Sequence, residues 1–268
     1  MHSVFAVARV TFKECLRDPA FPVIIVVFSA LIVLGGFLAM FSLGRDAIMA
    51  REMALTSLML GGMVTALLCG TSTVIEERSA RTAMSTLAKP VSRNRLVIGK
   101  YCGIMITVAL ALALFAIVVC GMLWAREGGG AVLESGANGG AESPLLLEVA
   151  KAAVLSYFEI ALIIAVAVAL ALYLSRLFTV AICLGLFSLG HLTDEIIRQL
   201  GLMADGGAVG MLLQALPRLE YFRVAAVVAE SEAIVRPAYL GWAAVYTISG
   251  VAMTLLISMA LFAKREIN

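Results

Sequence analysis

Two groups of ionisable residues interrupt the apolar parts of this sequence, and both have side chains that bind protons or metal ions. Glu159 lies inside the apolar run 149–174, beside Ser156 and Tyr157. A second group shares one helical face because its members are spaced i, i+3, i+4 and i+7: His191, Asp194, Glu195 and Arg198. An imidazole beside two carboxylates can hold a metal ion or transfer a proton. The same set also forms a plain ion-paired helix end, and the spacing alone leaves both open.

Glu159 carries the sharper expectation of the two. A carboxylate near the middle of a bilayer costs on the order of 3 kcal/mol on insertion scales, so Glu159 should face protein or water. It then either lines a translocation path or makes a protonated or hydrogen-bonded packing contact with a neighbouring helix. The sequence does not choose between these roles.

The composition determines which elements must position these residues. Hydrophobic residues make up 62% of the 268 positions and charged residues only 14%, too few polar side chains to cover a soluble core. The apolar runs are continuous, which favours helices over an alternating barrel. We therefore expect an all-α polytopic membrane protein with six spans, at about 21–43, 53–75, 97–124, 149–174, 177–198 and 238–262. The five cysteines, none of them in an expected external loop, imply no disulfide framework.

Charge asymmetry predicts the orientation. With a cytoplasmic N-terminus, the inside segments are 1–20, 76–100, 175–176 and 263–268, and they hold twelve Lys and Arg against five Asp and Glu. The outside segments hold eight Lys and Arg against twelve Asp and Glu. An excess of basic residues is typical of cytoplasmic loops. Both termini should therefore lie in the cytoplasm. We expect the protein to reside in the inner membrane of the cell.

The segment 76–100 is the densest charged stretch of the chain. Within it, apolar residues at i, i+3, i+4 and i+7 predict a short helix with one apolar stripe, made by Ala80, Ala83, Met84 and Leu87. Lys89 and Pro90 should end that helix. An amphipathic cytoplasmic helix between two spans predicts a surface on which a partner docks. A solvated face that only fixes topology is the simpler alternative.

We expect the whole chain, 1–268, to form one membrane domain. Residues 1–20 should form an interfacial helix whose apolar stripe contains Val4, Phe5, Ala8, Phe12, Cys15 and Leu16. Its charged face contains Arg9, Lys13, Glu14, Arg17 and Asp18. The glycine-rich stretch 125–148 reads as a flexible external loop, and 193–237 as an external or re-entrant region with short helices. Small residues at Gly62, Ala66 and Gly70, and at Gly99 and Gly103, predict close helix packing, within or between subunits.

Several catalytic motifs are missing. Gly99 and Lys100 are followed by Tyr101, where a phosphate-binding loop needs Ser or Thr. The sequence also has no HExxH, CxxC or GxSxG motif. We therefore expect neither ATP hydrolysis nor proteolysis by this chain, and no bound cofactor or metal.

The charged segment resembles the coupling region of ABC-2 type ABC transporter permeases. The resemblance is carried by E-x4-T-x4-L-x-K-P-V-S-R-x5-G-K, which runs from Glu77 to Lys100. The opening ARVTFKECLRDPAF is similar to the family's elbow helix, and LPRLEYFRV and FAKREIN are similar to its stretches around the last span. The subgroup linked to multi-copper enzyme maturation has a similar pattern.

This resemblance implies a permease subunit, usually of an exporter, that pairs with a second copy or a paralogue. A separate ABC subunit would bind ATP and Mg²⁺ and dock on the coupling segment 76–96. The residues at that interface would be Glu76, Glu77, Arg78, Arg81, Thr82, Pro90 and Arg93. In the elbow helix, the matching charged residues are Lys13, Glu14, Arg17 and Asp18. The lipid bilayer is the other partner, and we expect no nucleic acid.

Two other functions remain compatible with the sequence. A stand-alone ion-coupled transporter would use Glu159 as its titrating group. A non-transporting membrane partner would assist assembly of an envelope enzyme.

Overall fold

The computed structural model describes the backbone of 2–41, 46–84, 93–127, 145–171, 173–200, 219–222 and 237–264. Side chains are described for 4–39, 41, 46–73, 96–126, 147–171, 173–192, 219, 222 and 238–259. Every statement below concerns these residues.

The described chain is helical, with seven α-helices. They are α1 (His2–Arg17), α2 (Ala20–Leu38), α3 (Asp46–Met84), α4 (Arg93–Glu127), α5 (Leu145–Ala171), α6 (Arg176–Leu200) and α7 (Pro237–Lys264). Short 3₁₀ turns lie at Ala39–Phe41 and Leu219–Phe222.

Five of these helices are long and apolar enough to cross a membrane. The candidate spans are Ala20–Leu38, Asp46–Thr73, Leu96–Arg126, Leu147–Ala171 and Ala238–Met259. In α6, predicted as a further span, the described apolar part is the shorter Arg176–Leu192. The expectation of a helical multi-pass membrane protein is confirmed.

The helices α3, α4 and α5 form the centre of the bundle, with fully buried Leu58, Phe115 and Ile160 between them. Small residues of α3 allow close approach there, as predicted. A Cβ added to Gly62 would lie 2.6 Å from Leu112 of α4, and one added to Gly70 would lie 3.2 Å from Ile104 of α4. The small-residue stripe of α3 therefore packs within this chain.

The outer helices leave large apolar faces uncovered. α2 packs on α3 and α4, and α7 packs chiefly on α5. Exposed apolar side chains on α7 include Trp242, Ile248, Met253 and Leu256. Lipid tails are as apolar as these side chains, so a bilayer solvates such faces without cost.

Two elements differ from their predicted form. The short helix expected around Ala80, Ala83, Met84 and Leu87 is not separate at its start, because α3 continues without a break from the span to Met84. The first span ends in a 3₁₀ turn from Ala39 instead of continuing as α-helix to 43. Of the predicted loop 125–148 and the region 193–237, only the adjoining helix ends and the Leu219–Phe222 turn are described.

Candidate functional site

A cavity of about 390 Å³ lies between α3, α5, α6 and the Leu219–Phe222 turn. Its walls are mainly apolar, formed by Leu55, Met59, Leu60, Ala152, Phe187, Leu192 and Phe222. Its polar lining consists of three hydroxyls and one imidazole, from Thr56, Ser156, Ser188 and His191. Mixed linings of this kind and size are typical of small-molecule sites.

The two ionisable groups that the sequence placed in separate segments meet beside this cavity. Glu159 of α5 is completely buried, and its Oε1 lies 3.4 Å from Nε2 of His191 on α6. Ser156, one helical turn before Glu159, lines the cavity itself. Glu159 therefore faces protein, as its position in an apolar run requires.

His191 is oriented by its own helix. Its Nδ1 lies 3.2 Å from the backbone oxygen of Phe187, and its ring is centred 4.6 Å from the Phe187 ring. A carbonyl oxygen only accepts hydrogen bonds, so Nδ1 must carry a hydrogen to use this contact. Nε2 is then the nitrogen that faces the Glu159 carboxylate.

The Glu159 carboxylate has an incomplete set of partners. Within the described chain neither of its oxygens takes part in a hydrogen bond, and 3.4 Å is longer than the usual 2.7–3.2 Å of an N–H···O bond. A buried carboxylate in this state is costly unless it is neutralised. The pair is thus built to hold charge or a proton.

For the rest of the His191 group only the backbone is described. The side chains of Asp194, Glu195 and Arg198 lie outside the described residues, although their backbone belongs to α6. The described residues contain no cluster of three His, Cys, Asp or Glu side chains that would hold a metal ion.

A second polar region joins α1 to α3 and α4. Asp18, just after α1, accepts a hydrogen bond from the Ser72 hydroxyl at 3.0 Å and another from the Ala20 backbone N–H at 2.9 Å. Lys100 of α4 is buried and donates to the Thr73 backbone oxygen at 2.6 Å. Asp18 was predicted only as a charged residue of the elbow helix; here it links that helix to α2 and α3.

Glycines of α4 form the seat on which α1 packs. A Cβ on Gly99 would lie 2.8 Å from Val7, and one on Gly103 would lie 2.7 Å from the Ala8 backbone oxygen. Cys15 is buried at the same junction, and burial raises the pKa of its thiol to about 11. Lys13, Glu14 and Arg17 are exposed on the opposite side of α1.

The predicted docking residues are only partly within the described chain. Glu76, Glu77, Arg78, Arg81 and Thr82 lie on the last turns of α3, and Arg93 is the first residue of α4. Their side chains, and Pro90 as a whole, lie outside the described residues.

Sequence reasoning missed the contribution of Ser72, Lys100 and Phe222. Ser72 and Lys100 are polar residues at the ends of apolar runs, which is a readable signal for an internal contact. Phe222 gave no signal, because nothing in the spacing of 219–222 predicts that it closes a cavity between α3 and α6.

Comparisons with known proteins gave no relative: no family model matches the chain, and no curated protein matches it.

Proposed function

We propose that this chain is the membrane subunit of an ABC-2 type transporter, moved by a separate ATPase that docks on the segment 76–96. The observation that carries the proposal is the continuity of α3, which joins a membrane span to that charged segment without a break.

The length of α3 supports a mechanical role. At 1.5 Å per residue, its 39 residues extend about 58 Å, whereas the hydrocarbon core is about 30 Å thick. The helix therefore continues well beyond the membrane. A force applied near Met84 is transmitted along one hydrogen-bonded rod to Leu58 and Gly62 in the centre of the bundle.

The packing of α1 supports the same role. α1 sits in the Gly99 and Gly103 seat of α4 and is joined to α3 through the hydrogen bond from Ser72 to Asp18. An elbow helix anchored to two spans at once would keep them in register while the coupling segment moves.

In the full proposal, α6 is the fifth of six spans and α7 the sixth. Both termini lie in the cytoplasm, and the protein resides in the inner membrane and pairs with a second permease copy or a paralogue. The region 193–237 lies outside, with short helices before the last span. ATP and Mg²⁺ bind to the partner subunit, this chain hydrolyses nothing, and transport is outward.

Charge reversal in the docking segment tests the proposal. The double variant Arg78→Glu/Arg93→Glu should reduce copurification of the ATPase at least tenfold, because like charges across an interface are repulsive. Lys264→Glu is the matched control, a reversal on the same proposed membrane side at the end of α7, and should copurify normally. The measurement is the amount of ATPase recovered per tagged permease from solubilised membranes.

Normal ATPase recovery with the double variant, together with normal ATP-dependent flux, would remove the docking role. ATPase recovery without any flux in the wild-type protein would favour the non-transporting partner instead.

The Glu159–His191 pair favours a second candidate, a stand-alone ion-coupled transporter. One measurement distinguishes this candidate from the ATP-driven permease. Purified protein in sealed vesicles would move substrate along an imposed proton gradient without ATP, and Glu159→Gln would abolish that movement.

A further inference from the structure

We propose that the cavity between α3, α5 and α6 binds a lipophilic organic monocation, which displaces the single proton that Glu159 and His191 hold between them. The inference concerns this chain alone, so it holds whether or not an ATPase drives transport.

The cavity walls suit an apolar body with a diffuse positive charge. The volume of about 390 Å³ accepts a molecule with several rings, since ligand cavities usually measure roughly 300–1,000 Å³. Phe187 of α6 and Phe222 of the Leu219–Phe222 turn are among its lining residues. The faces of aromatic rings attract cations, most strongly where water is excluded.

One exchangeable proton makes the buried pair electrically neutral. Nδ1 of His191 is committed to the Phe187 carbonyl, so the exchangeable proton lies between Nε2 and Glu159 Oε1. With the proton on nitrogen, the pair is imidazolium and carboxylate. With the proton on oxygen, the pair is two neutral groups. Either arrangement has zero net charge, which suits the complete burial of Glu159.

Loss of that proton leaves one uncompensated negative charge in a buried position. Such a charge is unfavourable by several kcal/mol unless a cation lies nearby. A monocation in the cavity, in contact with the His191 ring, restores neutrality. Cation binding and proton release are therefore coupled, and the released proton passes to water.

The described charges around the pair offer Glu159 no second partner. Among the described residues, no ionisable side chain except His191 lies within the ion-pair distance of about 4 Å from the Glu159 carboxylate. Lys151, two turns earlier on α5, is paired with Glu148 at 2.7 Å. The ionisable groups on the other helices that pack against α5 include Arg51 and Glu52 on α3, Lys100, Tyr101 and Arg126 on α4, Arg176 on α6, and Tyr239 and Tyr246 on α7.

The test uses the purified full chain in phosphatidylcholine nanodiscs and radiolabelled tetraphenylphosphonium as the probe, with empty nanodiscs as the blank. Binding should tighten up to about tenfold per unit as pH rises, because one proton competes with one cation. Calorimetry in two buffers of different ionisation enthalpy should give about one proton released per cation bound. Triphenylphosphine oxide, which is similar in shape and uncharged, should bind at least tenfold more weakly.

Two variants and a control make the result specific. Glu159→Gln should bind the cation at least tenfold more weakly and release no proton. Ser188→Trp fills the cavity from an exposed position with little risk to folding, and it should weaken cation binding while Glu159 and His191 remain intact. Glu52→Gln removes a carboxylate that does not line this cavity and should behave as wild type.

The proposal is overturned if folded Glu159→Gln binds the cation as tightly as wild type, or if wild type binds it with no proton release. It is also overturned if the uncharged analogue binds equally well, or if Ser188→Trp leaves binding unchanged. None of these results depends on copurification of an ATPase, so they separate this inference from the proposed function.

Discussion

At the residue scale, one guanidinium closes an end of the bundle. Arg126, in the last turn of α4, donates from Nη1 to the Gly36 backbone oxygen at 2.6 Å and pairs through Nη2 with Asp46 at 3.1 Å. Gly36 lies in the last turn of α2, just before the 3₁₀ turn Ala39–Phe41. Arg126 therefore caps α2 while joining α4 to the start of α3.

Replacing Arg126 by Ala should destabilise the protein by about 1–3 kcal/mol, since it leaves a partly buried carbonyl without its charged donor. Asp46→Asn is the matched comparison. The Asp46 side chain is 56% exposed, so removal of its charge should cost at most about 1 kcal/mol. Thermal unfolding in detergent, followed by tryptophan fluorescence, measures both. Equal losses in the two variants would show that the ion pair, not the cap, is what Arg126 supplies.

The Glu159–His191 pair marks the limit of sequence reasoning at this scale. The apolar run predicted that Glu159 faces protein, and the helical spacing placed His191 on a face with other polar groups. Their meeting depends on how α5 and α6 are rotated about their axes, which no local pattern encodes. Proximity between two helices is set by packing, so it became visible only in the structure.

At the element scale, the apolar runs predicted the helices closely. α4 was expected at 97–124 and spans Arg93–Glu127, and α6 was expected at 177–198 and spans Arg176–Leu200. The sequence contained a signal for the continuity of α3, since no Gly or Pro lies between Gly70 and Pro90. That signal was missed. The predicted apolar stripe of α1 was only partly correct. Phe5 is 74% exposed, whereas Thr11 is buried, because the glycine seat of α4 accepts only small side chains.

The glycine seat makes a prediction about α1 as a whole. Gly103→Ala should displace α1 and destabilise the protein by about 1–3 kcal/mol, because the new methyl would meet the Ala8 backbone, which cannot rotate away. Gly121→Ala on the same helix is the control. A Cβ there meets nothing within 4 Å, so the change should be neutral or stabilising by up to about 1 kcal/mol.

The measurement is thermal unfolding combined with maleimide labelling of Cys15, in a variant whose other cysteines are replaced. Cys15 is buried on the packed face of α1, and its raised pKa, about 11, keeps the thiol protonated at neutral pH. Release of α1 by Gly103→Ala should therefore speed its labelling. Unchanged labelling and stability in Gly103→Ala would mean that α1 does not depend on this seat.

At the scale of the whole molecule, the role of α6 decides the topology. Among the residues that the structure describes, five other helices qualify as spans. If α6 also crosses, the described helices make an even number of crossings, which would put both termini on one side. If α6 stays on one side, the number is odd and the termini lie on opposite sides. The described apolar part of α6, Arg176–Leu192, is short for a crossing that needs about 20 residues, yet the whole helix of 25 residues extends about 37 Å.

We therefore predict that α6 crosses, since a helix of 25 residues is long enough to reach both headgroup regions. Green fluorescent protein fused after Asn268 should be fluorescent, as should a fusion at the N-terminus, because this reporter folds in the cytoplasm and not after export through the general secretion route. A fusion after a truncation at residue 135, past the end of α4, is the control and should be dark while alkaline phosphatase at that position is active. If the fusion after Asn268 is dark while the N-terminal fusion is fluorescent, the number of crossings is odd. That result would place α6 along the membrane surface and put the end of α7 on the side opposite to the coupling segment.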